Sequence, residues 1–189
     1  KKWYQGPANA LYQNLDIIRR HNPRHVLVLG GDHIYTMDYR DMIETHAKSG
    51  ADVTVGCVEV PRTEATGFGV MSVDEDMKIT KFSEKPADPE AMPGKPDVAL
   101  ASMGIYIFSP DFLFEKLIED HDDPYSSNDF GKDVIPSTIG CNDVRAYPFV
   151  EKDGSPGYWR DVGTVESYWR ANMDLCHITP TLHLYNRDR

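Results

Sequence analysis

An open α/β fold with a mixed, mostly parallel sheet is the architecture this sequence predicts, and three observations predict it. The continuous apolar runs "HVLVLG" (25–30), "ADVTVGCVEV" (51–60) and "ASMGIYIF" (101–108) have the pattern of strands buried on both faces. Stretches with helical spacing of apolar residues lie between them, and the order strand, helix, strand implies a right-handed parallel crossover. The 189 residues, 40% of them hydrophobic, suffice for one domain with a substantial core.

Taken in order, Pro7 opens a first helix with Leu11, Leu15 and Ile18 on one face, and Asn22-Pro23 ends it. The first strand follows and stops on Gly30-Gly31-Asp32. Asp38 caps a second helix with Tyr39, Met42, Ile43 and Ala47 as its apolar residues, and Gly50 terminates it before the second strand. Val70–Val73 and Lys78–Phe82 read as a hairpin, turning at Asp74-Glu75-Asp76 and added to the edge of the sheet. "ADPEAMPGKPD" is a Pro-rich surface loop, not a domain boundary. Strand 101–108, helix "PDFLFEKLIED", loop "HDDPYSSNDFGKDVIP", a strand near "VRAYPF" and helix "TVESYWRANMDLC" complete the domain. Val165, Tyr168, Trp169, Asn172 and Cys176 share one face of that last helix, and no internal repeat is present.

Composition excludes several function classes. A net charge of −10 opposes nonspecific binding to nucleic acid or to an anionic membrane, because both require a positive surface. An acidic protein that handles phosphates must do so through local cations, either a few Lys and Arg or a metal. Cys57, Cys141 and Cys176 have neither a disulfide pattern nor zinc spacing, which fits a reducing cytosol. No signal peptide and no run of about 18 apolar residues is present.

Three places can carry chemistry. Asp32 lies just past the end of a strand, where ligands of open α/β sheets sit. Gly30 and Gly31 allow close approach, and the carboxylate can hold Mg²⁺ against a polyphosphate; equally, it can simply cap the turn. Asp161 in "YWRDVGT" stands just ahead of a helix starting near Thr164. Mg²⁺ prefers one or two carboxylates plus waters and substrate phosphates, so two aspartates from separate loops suit it, although Asp161 can also pair with Arg160. In "FSEKP" the Lys85 ammonium can hold a sugar phosphate while Glu84 accepts sugar hydroxyls, although an exposed Glu-Lys pair is ordinarily solvated surface.

"WYQGPANA", "GDHIYTMDY", "EATGFGVM", "FSEKPADP", "LASMGIY", "SSNDFGKDVIP" and "YWRDVGT" occur together and in order. In this the sequence resembles, over nearly its whole length, the glucose-1-phosphate adenylyltransferase (ADP-glucose pyrophosphorylase) family of the bacterial glycogen pathway. "GD" and "EKP" are common to sugar-phosphate nucleotidyltransferases, whereas "FGKD", "YWRDVGT" and "ASMGIY" point to the ADP-glucose branch. The resemblance implies a Rossmann-like, mostly parallel sheet of the nucleotide-diphospho-sugar transferase type. It implies attack by a glucose 1-phosphate oxygen on the α-phosphorus of ATP, giving ADP-glucose and pyrophosphate without a covalent enzyme intermediate. By position, Asp32 is then the catalytic metal-binding aspartate and Asp161 the second Mg²⁺ carboxylate. Lys85 is the catalytic lysine on the glucose phosphate, and Tyr4, Gly69, Glu84 and Ser102 contact glucose 1-phosphate. A cytoplasmic homotetramer with no nucleic-acid or membrane partner is implied as well.

Two departures qualify this. The family's Gly-Thr-Ala-Asp-Ala is here Gly6-Pro7-Ala8-Asn9-Ala10, which removes a hydroxyl and a carboxylate near the edge of the site. The family's Gly-rich nucleotide loop and its C-terminal β-helix have no counterpart in this sequence. We therefore expect residues 1–176 to form a partial catalytic domain lacking its first strand or strands, with 177–189 as a linker. Such a segment is expected to keep half a site, and alone neither to turn over nor to fold. A uridylyl-, thymidylyl-, cytidylyl- or guanylyltransferase, or a noncatalytic regulatory subunit, stays open. His33 reads as a hydrogen-bonding neighbour of Asp32, and none of the histidines has metal spacing. Trp159 and Trp169 read as core or wall, and Asp129 and Lys132 as a possible border of the sugar pocket.

Overall fold

A computed structural model describes residues 3–182 and 184. The long strand β6 (Val98–Phe108) organises it, with every residue buried except Val98 and Gly104. Strand β3 (Val53–Pro61) lies antiparallel along one edge of β6, from Val53 opposite Phe108 to Pro61 opposite Val98. Outside β3, strand β7 (Val144–Pro148) runs parallel to it. Two strands share the other edge of β6: β1 (Val26–Val28) pairs with Tyr106–Phe108, and β4 (Gly69–Val73) pairs with Leu100 and Ala101. The hairpin partner β5 (Ile79–Glu84) closes that side, giving the order β5-β4-β6-β3-β7 with β1 beside β6.

The sheet is mixed and open, but it is not mostly parallel: β3–β7 is its one parallel ladder among the described residues. β1 and β3 do run in the same direction, as the crossover requires. They never pair because β6 returns antiparallel between them. For the same reason β1 is half-buried, having a single paired neighbour.

Helix α1 (Pro7–Tyr12) begins at Pro7 as expected, yet the first helix is interrupted and resumes as α2 (Leu15–Arg20). The Asn14 side chain turns back to donate to the Ala10 carbonyl at 2.8 Å, a local bond that competes with helix continuation. Helix α3 (Tyr39–Ser49) has the expected ends: Asp38 accepts from the Arg40 amide, and Gly50 takes the left-handed conformation at φ 66°. Its buried side chains are Met42 and His46, while Ala47 is exposed. Strand β2 (His33–Tyr35) precedes α3, and helix α4 (Pro110–Asp122) follows β6. The segment read as one loop after α4 is partly helical, with a π-helical turn at Phe130–Val134 and α5 (Ile135–Thr138). Strand β8 (Trp159–Asp161) and helix α6 (Val165–Asp174), with a Thr164–Ser167 capping box, complete the fold. On α6 Ala171 is buried, whereas Val165, Tyr168 and Trp169 are exposed, so Trp169 is not a core residue. No helix among the described residues is long and apolar enough to cross a membrane. Of the proposed linker, His183 and 185–189 lie outside the described residues.

Alternate side chains of β6 feed two cores. Leu100, Tyr106 and Phe108 join one with Leu113, Leu117 and Ile135; Met103, Ile105 and Ile107 join the other with Met42 and Trp159. Between Gly56 opposite Ile105 and Cys57 opposite Ser102, β6 carries two extra residues, Met103 and Gly104. A two-residue insertion preserves the pleat phase, so both cores keep their side chains; a single residue would have exchanged the faces. The bulge requires a left-handed residue, and Gly104 supplies it at φ 66°.

Two stability predictions follow from this packing. Burial, with His25 edge-on to it at 5.1 Å, lowers the His46 pKa from 6.5 to about 4, against a smaller opposing effect of Asp52. The unfolded chain therefore binds the proton more tightly. Stability should be complete above pH 6.5 and fall by about 3 kcal/mol as the pH drops towards 4. A denaturant titration at pH 7.5 and pH 5 should show about 2 kcal/mol of that loss, and His46→Gln should reduce the difference. Gly104→Ala would force a β-carbon into a left-handed backbone 2.9 Å from the His33 Cε1. It should cost about 1–2 kcal/mol from the backbone alone. In a double-mutant cycle with His33→Ala, the two changes should couple by at least about 0.5 kcal/mol, the relieved contact accounting for the difference.

Candidate functional site

The shared edge of β6 creates the site. β1 leaves that edge after Val28 and β4 joins it at Val70, so the stretch of β6 from Ser102 to Ile105 has no ladder partner there among the described residues. A crevice of about 460 Å³ opens at this gap. Gly30, Asp32 and His33 line it from the end of β1, Phe68 and Gly69 from the start of β4, Glu84 and Lys85 from the end of β5. Ser102, Gly104 and Tyr106 of β6 form its floor, with Asp129–Gly131 and Trp159 and Asp161 of β8 completing the wall. A larger hollow of about 690 Å³ near Arg19 and Phe114 shares none of these residues.

The two aspartates, 129 positions apart in sequence, are brought together by a short antiparallel ribbon in which β2 pairs with β8 and His33 lies opposite Asp161. The Val162 amide donates to the Asp32 carbonyl at 3.1 Å and extends the ribbon to Asp32 itself. Asp161 is oriented by the Gly163 amide, which donates to its Oδ1 at 2.8 Å. Ligand atoms of Asp32, His33 and Asp161 all lie within 4.8 Å of one another, a group able to hold a metal ion. His33 has no metal spacing in the sequence, yet the fold brings it into this group. The expected hydrogen bond to Asp32 is not formed, since the His33 Nε2 stands 3.7 Å from Oδ1. The signal lay in its position, one residue after Asp32 on a strand that pairs with "WRD".

On the opposite wall, Lys85 has a left-handed backbone (φ 46°), fixed by its amide donating to the Phe68 carbonyl at 3.0 Å. Its Nζ is exposed and lies 3.9 Å from Glu84 Oε1. The Glu84 carboxylate fits where neighbouring residues lack side chains: a β-carbon at Gly69 or Gly131 would come within 3.0 or 2.7 Å of its Oε2. Burial and the nearby charge of Asp129 raise its pKa, while Lys85 and Lys132 oppose the rise. Gly69 therefore contributes space, and Ser102 is buried with its hydroxyl accepting from the Gly104 amide at 3.2 Å.

Of the residues singled out in the sequence, Asp32, Gly69, Glu84, Lys85, Ser102 and Asp161 line the crevice. Tyr4 does not; it is exposed, and its hydroxyl accepts from the Asn14 side chain at 3.2 Å. Asp129 is on the wall and caps the π-helical turn through the Gly131 and Lys132 amides, whereas Lys132 is not on it. Trp159 is buried, edge-on to His33 at 5.3 Å and to Phe68 at 5.0 Å. Tyr106, which the sequence reading passed over, stacks on Phe130 at 5.5 Å, and burial pushes its hydroxyl pKa up to about 12. Among the described residues the crevice thus has four carboxyl groups facing one exposed ammonium, a surface complementary to a polyanion only when further cations accompany it.

The chain is 71% identical over 188 residues to the glucose-1-phosphate adenylyltransferase of Hydrogenovibrio crunogenus, covering 100% of this chain and 44% of that protein. It is 62% identical over 186 residues to the enzyme of that name from Thiobacillus denitrificans, covering 98% and 42%, respectively. Against that of Nitrosospira multiformis it is 53% identical over 193 residues, covering 100% and 45%. The chain therefore spans less than half the length of these curated relatives. A family model described as "Nucleotidyl transferase" matches residues 1–178, and the chain belongs to that family.

Proposed function

We propose that this chain carries the sugar-phosphate half of the active site of a glucose-1-phosphate adenylyltransferase. The reaction joins the AMP portion of ATP to glucose 1-phosphate and releases pyrophosphate. The observation that carries the reading is the β2–β8 pairing, which sets Asp32 and Asp161 together at one side of a crevice whose other side presents Lys85 and Glu84. The carboxylate pair fits a hard divalent cation such as Mg²⁺, which binds through one or two carboxylates and leaves positions for phosphate oxygens. Bound between Asp32 and Asp161, it would neutralise phosphate charge as that charge develops at the α-phosphorus.

The chain's own residues supply the rest. The exposed Lys85 ammonium, held by its fixed backbone, meets the phosphate of glucose 1-phosphate as a point charge. Glu84, pressed between Gly69 and Gly131, accepts sugar hydroxyls, and Ser102 and Tyr106 form the floor beneath the ring. No side chain has to attack phosphorus. Rate enhancement comes from aligning the sugar-phosphate oxygen with the α-phosphorus and screening two anions. The cytoplasmic homotetramer implied by the resemblance belongs to the same proposal.

Pyrophosphate release by the full-length protein carrying this chain tests it, with Mg²⁺, glucose 1-phosphate, and ATP, UTP, dTTP, CTP or GTP in parallel. ATP should be preferred, Asp32→Asn should lower kcat about 100-fold or more, and Lys85→Gln should raise the KM for glucose 1-phosphate far more than that for ATP. Preference for another nucleotide would reassign the transferase. Absence of release from folded protein that binds glucose 1-phosphate would instead indicate a regulatory subunit.

A further inference from the structure

His33 is the third member of the cluster with Asp32 and Asp161, and distance alone allows it two roles: ligand to a cation, or support for a carboxylate that is the ligand. We propose the second: His33 is a positioning residue that turns its Nε2–H to Asp32 and fixes that carboxylate for a divalent cation. The inference rests on the cation reading of Asp32 and Asp161 given above.

The imidazole cannot turn freely. Its ring fills a slot made by two glycines, since a β-carbon at Gly30 or Gly104 would lie 2.7 or 2.9 Å from its Cε1. Within that slot Nδ1 is buried without a hydrogen-bond partner, and the neighbouring Trp159 Nε1 is buried without one too. The two rings meet edge to face at 5.3 Å. An indole nitrogen can only donate. A proton on His33 Nδ1 would therefore place two unsatisfied N–H groups in one apolar wall, the costlier kind of orphan. With the proton on Nε2, Nδ1 buries no orphaned N–H, and the N–H sits on the nitrogen that stands 3.7 Å from Asp32 Oδ1. The Asp32 side chain is 66% exposed, so a small rotation of the carboxylate closes this distance. Histidines that ligate metals donate their other ring N–H to an acceptor, and Nδ1 has none among the described residues.

The test is Mn²⁺ binding to the full-length protein without substrates, measured by calorimetry and by the electron spin-echo modulation of the bound ion. His33→Leu should weaken Mn²⁺ binding about tenfold. His33→Gln, whose amide N–H falls near the place of Nε2–H, should restore affinity to within about threefold of the parent. The echo should carry no coupling from a directly bonded nitrogen. In turnover, His33→Leu should raise the Mg²⁺ concentration needed for half-maximal rate and leave the KM for glucose 1-phosphate unchanged. Far-UV circular dichroism confirms that both variants fold. Parent affinity in folded His33→Leu would overturn the proposal, as would a nitrogen coupling that this variant abolishes. Should Asp32→Asn bind Mn²⁺ as tightly as the parent, the cation reading itself fails, and the role of His33 fails with it.

Discussion

The structure depends on one long buried strand with two different edges. β6 pairs with β3 on one side along all but its two bulged residues, and on the other divides itself between β1 and β4. Its side chains alternate between two cores, and burying each large apolar residue contributes about 1.5–3 kcal/mol, so β6 cannot shift without losing both. That rigidity makes the unpaired stretch between β1 and β4 a usable crevice instead of a defect. The two-residue bulge at Met103 and Gly104 lies beside the gap and leaves each core its own side chains.

What lines the gap would be unfavourable in an empty protein. Asp32, Asp161, Glu84 and Asp129 bring like charge together, and the raised pKa of Glu84 reports its burial and, after that, the charge of Asp129. A raised carboxyl pKa means the folded state holds that proton more tightly than the unfolded chain does, so at neutral pH the ionised group opposes folding. The rest of the fold must offset this, and cations or hydroxyl donors brought by substrates relieve it. Strain at Lys85 works in the same direction, because its left-handed backbone, held by a hydrogen bond to the Phe68 carbonyl, delivers an exposed ammonium to the crevice wall.

Much of this was legible in sequence, for reasons that differ by element. The α3 caps and the β4–β5 hairpin are local: Asp38, Gly50 and the acidic turn act within a few residues, and the chemistry of each type decides the outcome. The direction of the sheet was not legible, because an apolar run looks the same whether its neighbours are parallel or antiparallel. Only the return of β6 between β1 and β3 decides that. The continuity of the first helix failed on Asn14, whose side chain competes for the Ala10 carbonyl. Asp32, Asp161, Glu84 and Lys85 could be picked out by type and position, but their approach to one another depends on the pairing of β2 with β8. Neither three-residue strand has a periodic signature. His33 was discounted for the same reason: a lone histidine acquires meaning only from the residue paired opposite it.

The departure at Gly6-Pro7-Ala8-Asn9 shows how the scaffold accommodates change close to the site. Pro7 occupies the first position of α1, where a missing N–H costs nothing, and it contributes ring surface to the crevice wall. Asn9 is buried and faces inward: its Oδ1 accepts from the Gln5 amide at 3.3 Å and from the Gln13 side chain at 2.7 Å. A carboxylate there would make the same two bonds but would bury a negative charge, so the neutral amide is the electrostatically easier choice. The helix start also supports the site directly. The Ala8 amide donates to the Asn128 carbonyl at 2.9 Å, and a side chain at Gly6 would collide with that carbonyl. Close contact here fixes the loop that delivers Asp129, whose carboxylate in turn caps the turn placing Gly131 against Glu84. The two altered side chains therefore bear on the sugar side of the crevice through backbone placement, and leave the Asp32 and Asp161 pair to the β2–β8 ribbon.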